Sequence, residues 1–212
     1  MSETAMIPPA KPAPANPAPT MRTMVTHRFG ASTLPKRQPL SWKPALDHIV
    51  VGSGPGVGVL ARLLDTPPEG RVEGVILGSD AADLPETIAR TEDPARFAAL
   101  LAECLANAPM GAELYAAGPE AFLTEVQRIA TAAGFPPDAV MTERAGSAAR
   151  DCQCAHCKTV IRGLTHRFCI CPACGLSLLV RDHFSPRLGL YQAVAISPTD
   201  PRIAIYRETV LE

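Results

Sequence analysis

Short apolar runs alternate with amphipathic segments between residues 47 and 146. Four of the runs have the length and apolar content of buried strands, and they cover residues 48–52, 72–77, 114–117 and 139–142. The segment 59–64 and the segments that follow Pro94 and Pro119 repeat apolar residues at helical spacing. Strands that alternate with helices of this length predict an α/β domain with a parallel sheet covered on both faces.

The helical segments have recognisable ends. Asp93 precedes Pro94, the order expected when an N-cap residue is followed by proline at the first helical position. Gly134 lies where a glycine is expected at the end of the helix that Pro119 begins. These signals predict two long helices, one on each side of the strand at 114–117.

The chain changes character on both sides of this domain. Residues 1–20 are mostly proline, alanine and threonine, which cannot bury enough surface to become ordered, and we expect a disordered tail. Residues 21–46 add larger apolar side chains such as Trp42, which predicts an extended arm that docks on the body or on a partner. Gly146 begins a short linker into a cysteine-rich domain at 151–212.

Charge and cysteine usage indicate where the protein works. The formal net charge is −1, which gives no overall attraction to nucleic acid or to a membrane surface. No apolar run approaches the roughly 20 residues that a transmembrane helix needs, and no secretory signal is recognisable. Six of the seven cysteines lie between residues 152 and 174, too close together for a distributed disulfide framework. We therefore predict reduced thiols in a cytoplasmic protein.

Four of these cysteines form two Cys-x-x-Cys pairs. The first pair is Cys154 and Cys157, the second is Cys171 and Cys174, and 13 residues, enough for a hairpin, separate the pairs. Each pair can place two thiolates on one side of a tight turn, here called a knuckle, and two facing knuckles can enclose a metal ion. The spacing predicts a zinc ribbon, and iron in a rubredoxin-like site is the alternative.

Other residues of the cysteine-rich domain give weaker signals. Cys152 and Cys169 each precede a knuckle by two residues, so they are either extra thiols close to the metal or core residues. His156 and His166 are more typical of surface residues than of ligands.

Several polar side chains surround the cysteines along the chain. Asp182 could orient the ring of His183 by a hydrogen bond, or the two residues could form a solvated strand end. A basic zinc ribbon can bind nucleic acid, but aromatic residues are too sparse here for a stacking platform, so we do not expect that partner. The basic residues in question are Lys158, Arg162, Arg167, Arg181 and Arg187.

A glycine-rich loop follows the first predicted strand. It leads into a helix whose first N–H groups could meet a dinucleotide pyrophosphate. The full Gly-x-Gly-x-x-Gly pattern is absent, because Val57 or Val59 occupies its last position. The loop alone is therefore a weak sign of nucleotide binding.

Residues 48–145 nevertheless resemble the nicotinamide domain of the ferredoxin–NADP reductases. The resemblance rests on the loop 53–58, on the turn 78–80 after the second strand, and on the segment 115–122. It implies a reductase-type NAD(P)-domain fold with a set of possible nucleotide-binding residues. These are Gly54, Gly56, Gly58, Asp80 and Gly118.

The sequence departs from the reductases at positions that matter for their chemistry. Ala117 replaces the cysteine beside the nicotinamide, and Asp80 replaces the arginine that meets the 2′-phosphate of NADPH. Between Leu84 and Glu113 the pattern indicates helix only, so we expect one strand of the reductase sheet to be missing. No segment before residue 48 could form a flavin-binding barrel. The resemblance therefore implies a degenerate domain retained for structure or docking.

The order of the two domains carries a second resemblance. A degenerate reductase domain, then Cys171-Pro172-Ala173-Cys174-Gly175 and Leu179-Val180-Arg181-Asp182-His183-Phe184, is similar to the small subunit of the heme-dependent dimethylamine monooxygenases. That family implies an accessory subunit without a complete active site, which bridges a heme-carrying subunit and a reductase subunit with flavin and a 2Fe–2S centre. The complex would use NAD(P)H to demethylate dimethylamine to methylamine and formaldehyde. Two alternatives stay open: a rubredoxin-like electron carrier, and a zinc-ribbon regulator that binds nucleic acid or protein.

Overall fold

The computed structural model describes residues 33–80 and 82–211, which form two five-stranded sheets. The strands of the first sheet are β1 (Asp47–Ser53), β2 (Arg71–Leu77), β3 (Ile88–Thr91), β4 (Glu113–Gly118) and β5 (Val140–Arg144). All four pairings are parallel, and the strand order is β3-β2-β1-β4-β5. The predicted tail at 1–20 and the arm residues 21–32 lie outside the described residues.

Three helices cover the two faces of the parallel sheet. They are α1 (Gly56–Leu64), α2 (Pro94–Asn107) and α3 (Glu120–Ala132). Alternate residues of a strand face opposite sides, so Val50 packs with α1 while Ile49 and Val51 pack with α2 and α3. The side chain of Asp93 accepts a hydrogen bond from the N–H of Ala95 and caps α2, as its sequence predicts. The expected α/β layering is confirmed.

Strand β3 corrects the prediction that residues 84–113 are helical only. It pairs with β2 at the edge of the sheet, from Gly74–Ile88 to Leu77–Thr91. Only Ile88 is buried, while Ala89 and Arg90 are exposed. A four-residue edge strand of this kind is held mainly by backbone hydrogen bonds, so it leaves no clear hydrophobic pattern in the sequence.

The second sheet is mixed. Its strands are β6 (Arg150–Cys154), β7 (Val160–Leu164), β8 (Phe168–Ile170), β9 (Ser177–Ser185) and β10 (Leu190–Ala195), in the order β7-β6-β10-β9-β8. Strands β6 and β10 are parallel, and the other neighbours are antiparallel. Leu178, Val180, Phe184 and Tyr191 form its buried core together with several cysteines.

Each knuckle closes its own hairpin. The first lies between β6 and β7, and the second between β8 and β9. The 13 residues between the two cysteine pairs are long enough for a hairpin, but they do not form one. They include β7 and β8, which lie at opposite edges of the sheet. The cysteines therefore approach one another from two hairpin tips.

The described part of the arm, residues 33–46, contacts both sheets. The N–H of Thr33 donates to the backbone of β9, and the N–H of Gln38 donates to the backbone of β5 at 3.0 Å. Further along, the indole N–H of Trp42 donates to the carbonyl of Leu63 at the end of α1, at 3.1 Å. These residues dock on the protein's own body, one of the two possibilities that the sequence left open.

A short helix, α4 (Ile203–Glu208), packs against β8. The guanidinium carbon of Arg207 lies 4.8 Å from the ring centroid of Phe168, and Leu211 joins the core of the mixed sheet. Within residues 33–80 and 82–211, none of the helices combines the length and the apolar character that crossing a membrane requires.

Candidate metal centre

The two knuckles have the same backbone geometry. In each, the first cysteine donates its N–H to the carbonyl five residues later and accepts a bond from the N–H four residues later. For Cys154 and for Cys171, all of these bonds measure 2.9 Å. Two turns that are far apart in sequence thus present their cysteines in the same way.

The residue after the second cysteine has a left-handed backbone in both knuckles. Its φ is +65° at Lys158 and +70° at Gly175. Glycine adopts this conformation readily, so Gly175 is the residue type that the turn favours. Because the equivalent position of the first knuckle is a lysine, the sequence alone does not show that the two knuckles have the same backbone conformation.

The four knuckle sulfurs form one cluster. All lie within 4.8 Å of one another, with 3.9 Å between Cys154 and Cys174 and 3.6 Å between Cys157 and Cys171. A tetrahedral ion with metal–sulfur bonds of about 2.3 Å would separate its sulfurs by about 3.8 Å. The cluster therefore fits the dimensions of a four-thiolate metal site, and sulfur donors suit zinc or iron.

The two sides of the cluster differ in exposure. Cys154 and Cys171 are buried, while Cys157 and Cys174 are half-buried. The Thr159 hydroxyl lies 3.2 Å from the sulfur of Cys157, and hydrogen bonding to this hydroxyl and to the Thr159 backbone lowers the pKa of Cys157 to about 6. This lowering favours the thiolate of Cys157, the form that binds metal. The sequence motif did not point to Thr159.

Cys152 and Cys169 lie outside the four-sulfur cluster and join the core of the mixed sheet. Burial raises the pKa of Cys152 to about 12 and that of Cys169 to about 11. These two cysteines are therefore protonated at neutral pH, as core thiols should be. His156 and His166 are exposed, as expected of surface residues.

Asp182 binds arginines in place of the predicted histidine. It accepts bonds from Arg150 at 2.9 Å and from Arg167 at 3.0 Å, while Nδ1 of His183 lies 3.3 Å from the Thr33 hydroxyl. Burial alone would raise the pKa of Asp182, but the two guanidinium groups outweigh it and lower the pKa. Arg167 is therefore paired with a carboxylate, which reduces the basic surface that nucleic acid could use.

The glycine-rich loop lies at the carboxyl ends of β1 and β4, where the strand order reverses. Open α/β sheets bind ligands at this place. Gly54 has a φ of +52°, and a Cβ at Gly56 would lie only 2.0 Å from the carbonyl oxygen of Ala117. Gly58 is exposed, with open space where its Cβ would be. The fold thus requires glycine at position 56 and favours it at position 54, while it places no such demand on position 58.

The linker between the sheets lies over this loop. The carbonyl of Ser147 accepts a bond from the N–H of Glu120 at the start of α3, at 2.9 Å. A Cβ at Gly146 would contact the rings of Pro55 and Pro119 at 3.4 and 3.5 Å. The linker therefore packs against Pro55 of the loop and against Pro119, next to the start of α3. Nucleotide binding at the loop and at the neighbouring Gly118 stays a prediction.

Asp80 lies in an open depression of about 510 Å³ beyond the end of β2, together with Ser79, Asp83 and Arg90. The guanidinium of Arg90 donates to the carbonyl of Asp80 at 2.8 Å. Arg90 belongs to β3, the strand that the hydrophobic pattern does not show. Asp80, the residue that the reductase resemblance marks as the replacement of an arginine, therefore has an arginine beside it.

Two family models match the chain. The model described as the N-terminal domain of the dimethylamine monooxygenase subunit DmmA-like family covers residues 31–140, and that of the C-terminal domain covers residues 151–194. A curated relative, the heme-dependent oxidative N-demethylase delta subunit of Ectopseudomonas mendocina (strain ymp), is 33% identical over 102 residues. The match covers 48% of this chain and 58% of the relative. No solved structure matches the chain significantly.

Proposed function

Because this chain belongs to the DmmA-like family of dimethylamine monooxygenase subunits, we propose that it is an accessory subunit of an oxidative N-demethylase. It bridges a heme-carrying subunit and a reductase subunit that bears flavin and a 2Fe–2S centre. The complex uses NAD(P)H to demethylate dimethylamine to methylamine and formaldehyde in the cytoplasm. The relative's printed name, a delta subunit of a heme-dependent N-demethylase, supports membership of such an assembly.

The four-cysteine cluster holds one zinc ion in this proposal. The observation that carries it is the pair of equivalent knuckles, whose sulfurs have tetrahedral spacing. A bound zinc ion supplies folding free energy and no redox chemistry. Cys154, Cys157, Cys171 and Cys174 hold it, and the mixed sheet keeps the two hairpin tips in place. The metal is therefore a structural part of a docking scaffold.

A rubredoxin-like electron carrier is the second candidate. The partial exposure of Cys157 and Cys174 favours it, because an electron needs a short path from solvent or a partner to the metal. Iron in the same site would supply one-electron chemistry. Colour separates the two candidates: a ferric four-sulfur site absorbs visible light, and a zinc site is colourless.

The reductase-type domain acts as scaffold in this proposal. The hydrogen bond of the Ser147 carbonyl at the start of α3 and the packing of Gly146 against Pro55 of the glycine-rich loop support this role. NAD(P)H is then oxidised by the reductase partner. We expect the isolated chain to lack NADPH-oxidising activity with or without dimethylamine.

Co-expression with the heme-carrying and reductase subunits tests the bridge. An affinity tag on this chain should recover both partners, with heme and flavin absorbance and about one zinc per copy of the chain. Omitting this chain should lower the recovery of one partner with the other. If the two partners assemble and turn over equally well without it, the bridging role is wrong.

A matched pair of serine variants tests the metal site. Cys171→Ser removes a ligand of the cluster, and Cys169→Ser changes a cysteine two residues earlier that lies outside it. We expect Cys171→Ser to lose bound zinc and unfold the mixed sheet, and Cys169→Ser to keep its zinc. Equal zinc content in both variants would contradict the assignment.

A further inference from the structure

The first knuckle has a lysine where the second has glycine. Lys158 is the one non-glycine residue with positive φ among residues 33–80 and 82–211. The left-handed conformation is unfavourable for an L-amino acid and easy for glycine. Glycine would therefore form the same turn with less strain, as Gly175 does. When a strained backbone conformation is retained beside a binding site, we expect the side chain at that position to have a function.

The side chain of Lys158 folds back over its own knuckle. Its ammonium donates to the carbonyl of Ala155 at 2.7 Å. Ala155 lies between the two ligand cysteines, so this bond holds the ammonium at the solvent-facing side of the knuckle. The carboxylate of Asp151 on the same hairpin is engaged elsewhere, by Arg162 at 2.8 Å.

A loaded cluster would carry excess negative charge. Four thiolates around a divalent ion leave two negative charges uncompensated, and Cys157, immediately before Lys158, is on the more exposed side. We propose that the Lys158 ammonium offsets this charge and thereby strengthens the binding of a divalent metal ion. Lys158 is a positioning residue in this role, since it touches the knuckle and not the metal. The inference rests on the metal site proposed above.

Two variants separate the charge of Lys158 from its backbone. Lys158→Met keeps a long side chain and the strained φ but removes the charge, and Lys158→Arg keeps the charge. Zinc affinity is measured on the metal-free full chain by competition with a chelator, at low salt and at about 1 M salt, where the screening length is about 3 Å. Absorption after loading with Co²⁺ reports whether all four sulfurs bind.

We expect Lys158→Met to bind zinc about twofold to fivefold more weakly at low salt, the range of an exposed charge pair. The difference should shrink at high salt, Lys158→Arg should stay close to the wild type, and the Co²⁺ spectra should be the same. Unchanged affinity of Lys158→Met at low salt would overturn the inference. An equal loss at both salt concentrations would also overturn it, because charge would not be the cause.

The outcome for the wild type separates this inference from the proposed site. A wild-type chain that takes up neither Zn²⁺ nor Co²⁺ would overturn the metal site and this role of Lys158 together. A wild-type chain that binds zinc, with a Lys158→Met variant that binds equally well, would overturn the role of Lys158 alone.

Discussion

The phenol of Tyr191 in the mixed sheet donates a 2.5 Å hydrogen bond to the carboxylate of Glu120 at the start of α3. Both residues are buried, at 2% and 3% exposure. This bond joins the sheet that carries the knuckles to the helices of the parallel sheet. Hydrogen bonds to a charged acceptor are stronger than neutral ones, and more so where water is excluded.

Two arginines complete the environment of this pair. Arg37 of the arm binds both oxygens of Glu120, at 2.8 and 3.0 Å. The guanidinium carbon of Arg150 lies 4.5 Å from the ring centroid of Tyr191. The arm, the parallel sheet and the mixed sheet thus meet at one buried carboxylate. A charge removed from water in this way is stabilising only while its partners remain in place.

Tyr191→Phe should destabilise the protein by about 1.5–3 kcal/mol, the usual contribution of a hydrogen bond to a charged group. Because phenylalanine keeps the aromatic ring, the decrease in the free energy of unfolding measures the contribution of the hydroxyl group. Denaturant unfolding followed by circular dichroism measures it. Tyr206→Phe on α4, at a partly exposed position, is the control, with an expected change within about 0.5 kcal/mol. Equal effects of the two variants would show that the Glu120 contact contributes nothing.

Acid should weaken the contact between the sheets through Glu120. Burial alone would raise the pKa of Glu120, but the hydrogen bonds and charge of Arg37 lower it below the ordinary value of 4.5. The unfolded chain therefore takes up the proton first. The stabilisation is fully present above pH 4.5 and is lost as the pH falls toward the lower folded value.

The free energy of unfolding, measured between pH 7 and pH 3, checks this expectation. Glu120→Gln should be less stable than the wild type at pH 7, and the difference should narrow in acid, because the wild-type carboxylate becomes neutral as well. If the difference in unfolding free energy between the wild type and Glu120→Gln stayed constant from pH 7 to pH 3, the ionisation of Glu120 would not be coupled to folding.

The glycines of the loop should respond in opposite ways to alanine. Gly56→Ala brings a Cβ to 2.0 Å from a backbone oxygen and should destabilise the protein by about 1–3 kcal/mol or more. Gly58→Ala meets open space in an exposed helical turn and should stabilise it by about 0.5–1 kcal/mol. Thermal unfolding measures both.

The same Gly58→Ala variant examines the predicted nucleotide site. If a pyrophosphate approaches the first turn of α1, the added methyl group should weaken the binding of NADPH, which fluorescence titration would detect. If the helix end serves the fold alone, neither protein binds NADPH, and Gly58→Ala changes stability only.

Trp42 should anchor the arm. Its indole N–H donates to two carbonyls, and its ring packs edge-on against Tyr115 with centroids 4.8 Å apart. Trp42→Ala should cost about 2 kcal/mol or more, since it removes a large, mostly covered side chain. Limited proteolysis should then cut between residues 33 and 46. Leu46→Ala, at a side chain that is 78% exposed, should leave the cleavage rate unchanged.

The sequence predicted most elements of the fold because their signals are local. Asp93 caps α2 through its own side chain, and the apolar strands β1, β2 and β4 carry their burial in their composition. Strand β3 escaped prediction because it is a four-residue edge strand with a single buried residue, which leaves no hydrophobic pattern in the sequence. The reductase-type and zinc-ribbon fold names stay predictions, since the structure shows the parallel and mixed sheets without deciding the family of either.

The candidate metal site also has a part that could be predicted from the sequence and a part that could not. The spacing within each Cys-x-x-Cys pair is local chemistry, so the four candidate ligands could be named from the sequence. The sequence could not exclude Cys152 and Cys169 as ligands. A residue in the same strand as a ligand can lie on the same face of the sheet without reaching the ion. Thr159 and Lys158 acquire their positions beside Cys157 from the shape of the knuckle.

By itself the sequence determined an alternation of strands and helices and two turns capable of holding thiolates. These properties depend on residues close together in the chain. Only the tertiary structure decided that the two knuckles close separate hairpins, that the arm binds its own body, and that Glu120 meets Arg37 and Tyr191. Such contacts join distant segments, and their free energy depends on burial and geometry that exist only once the chain has folded.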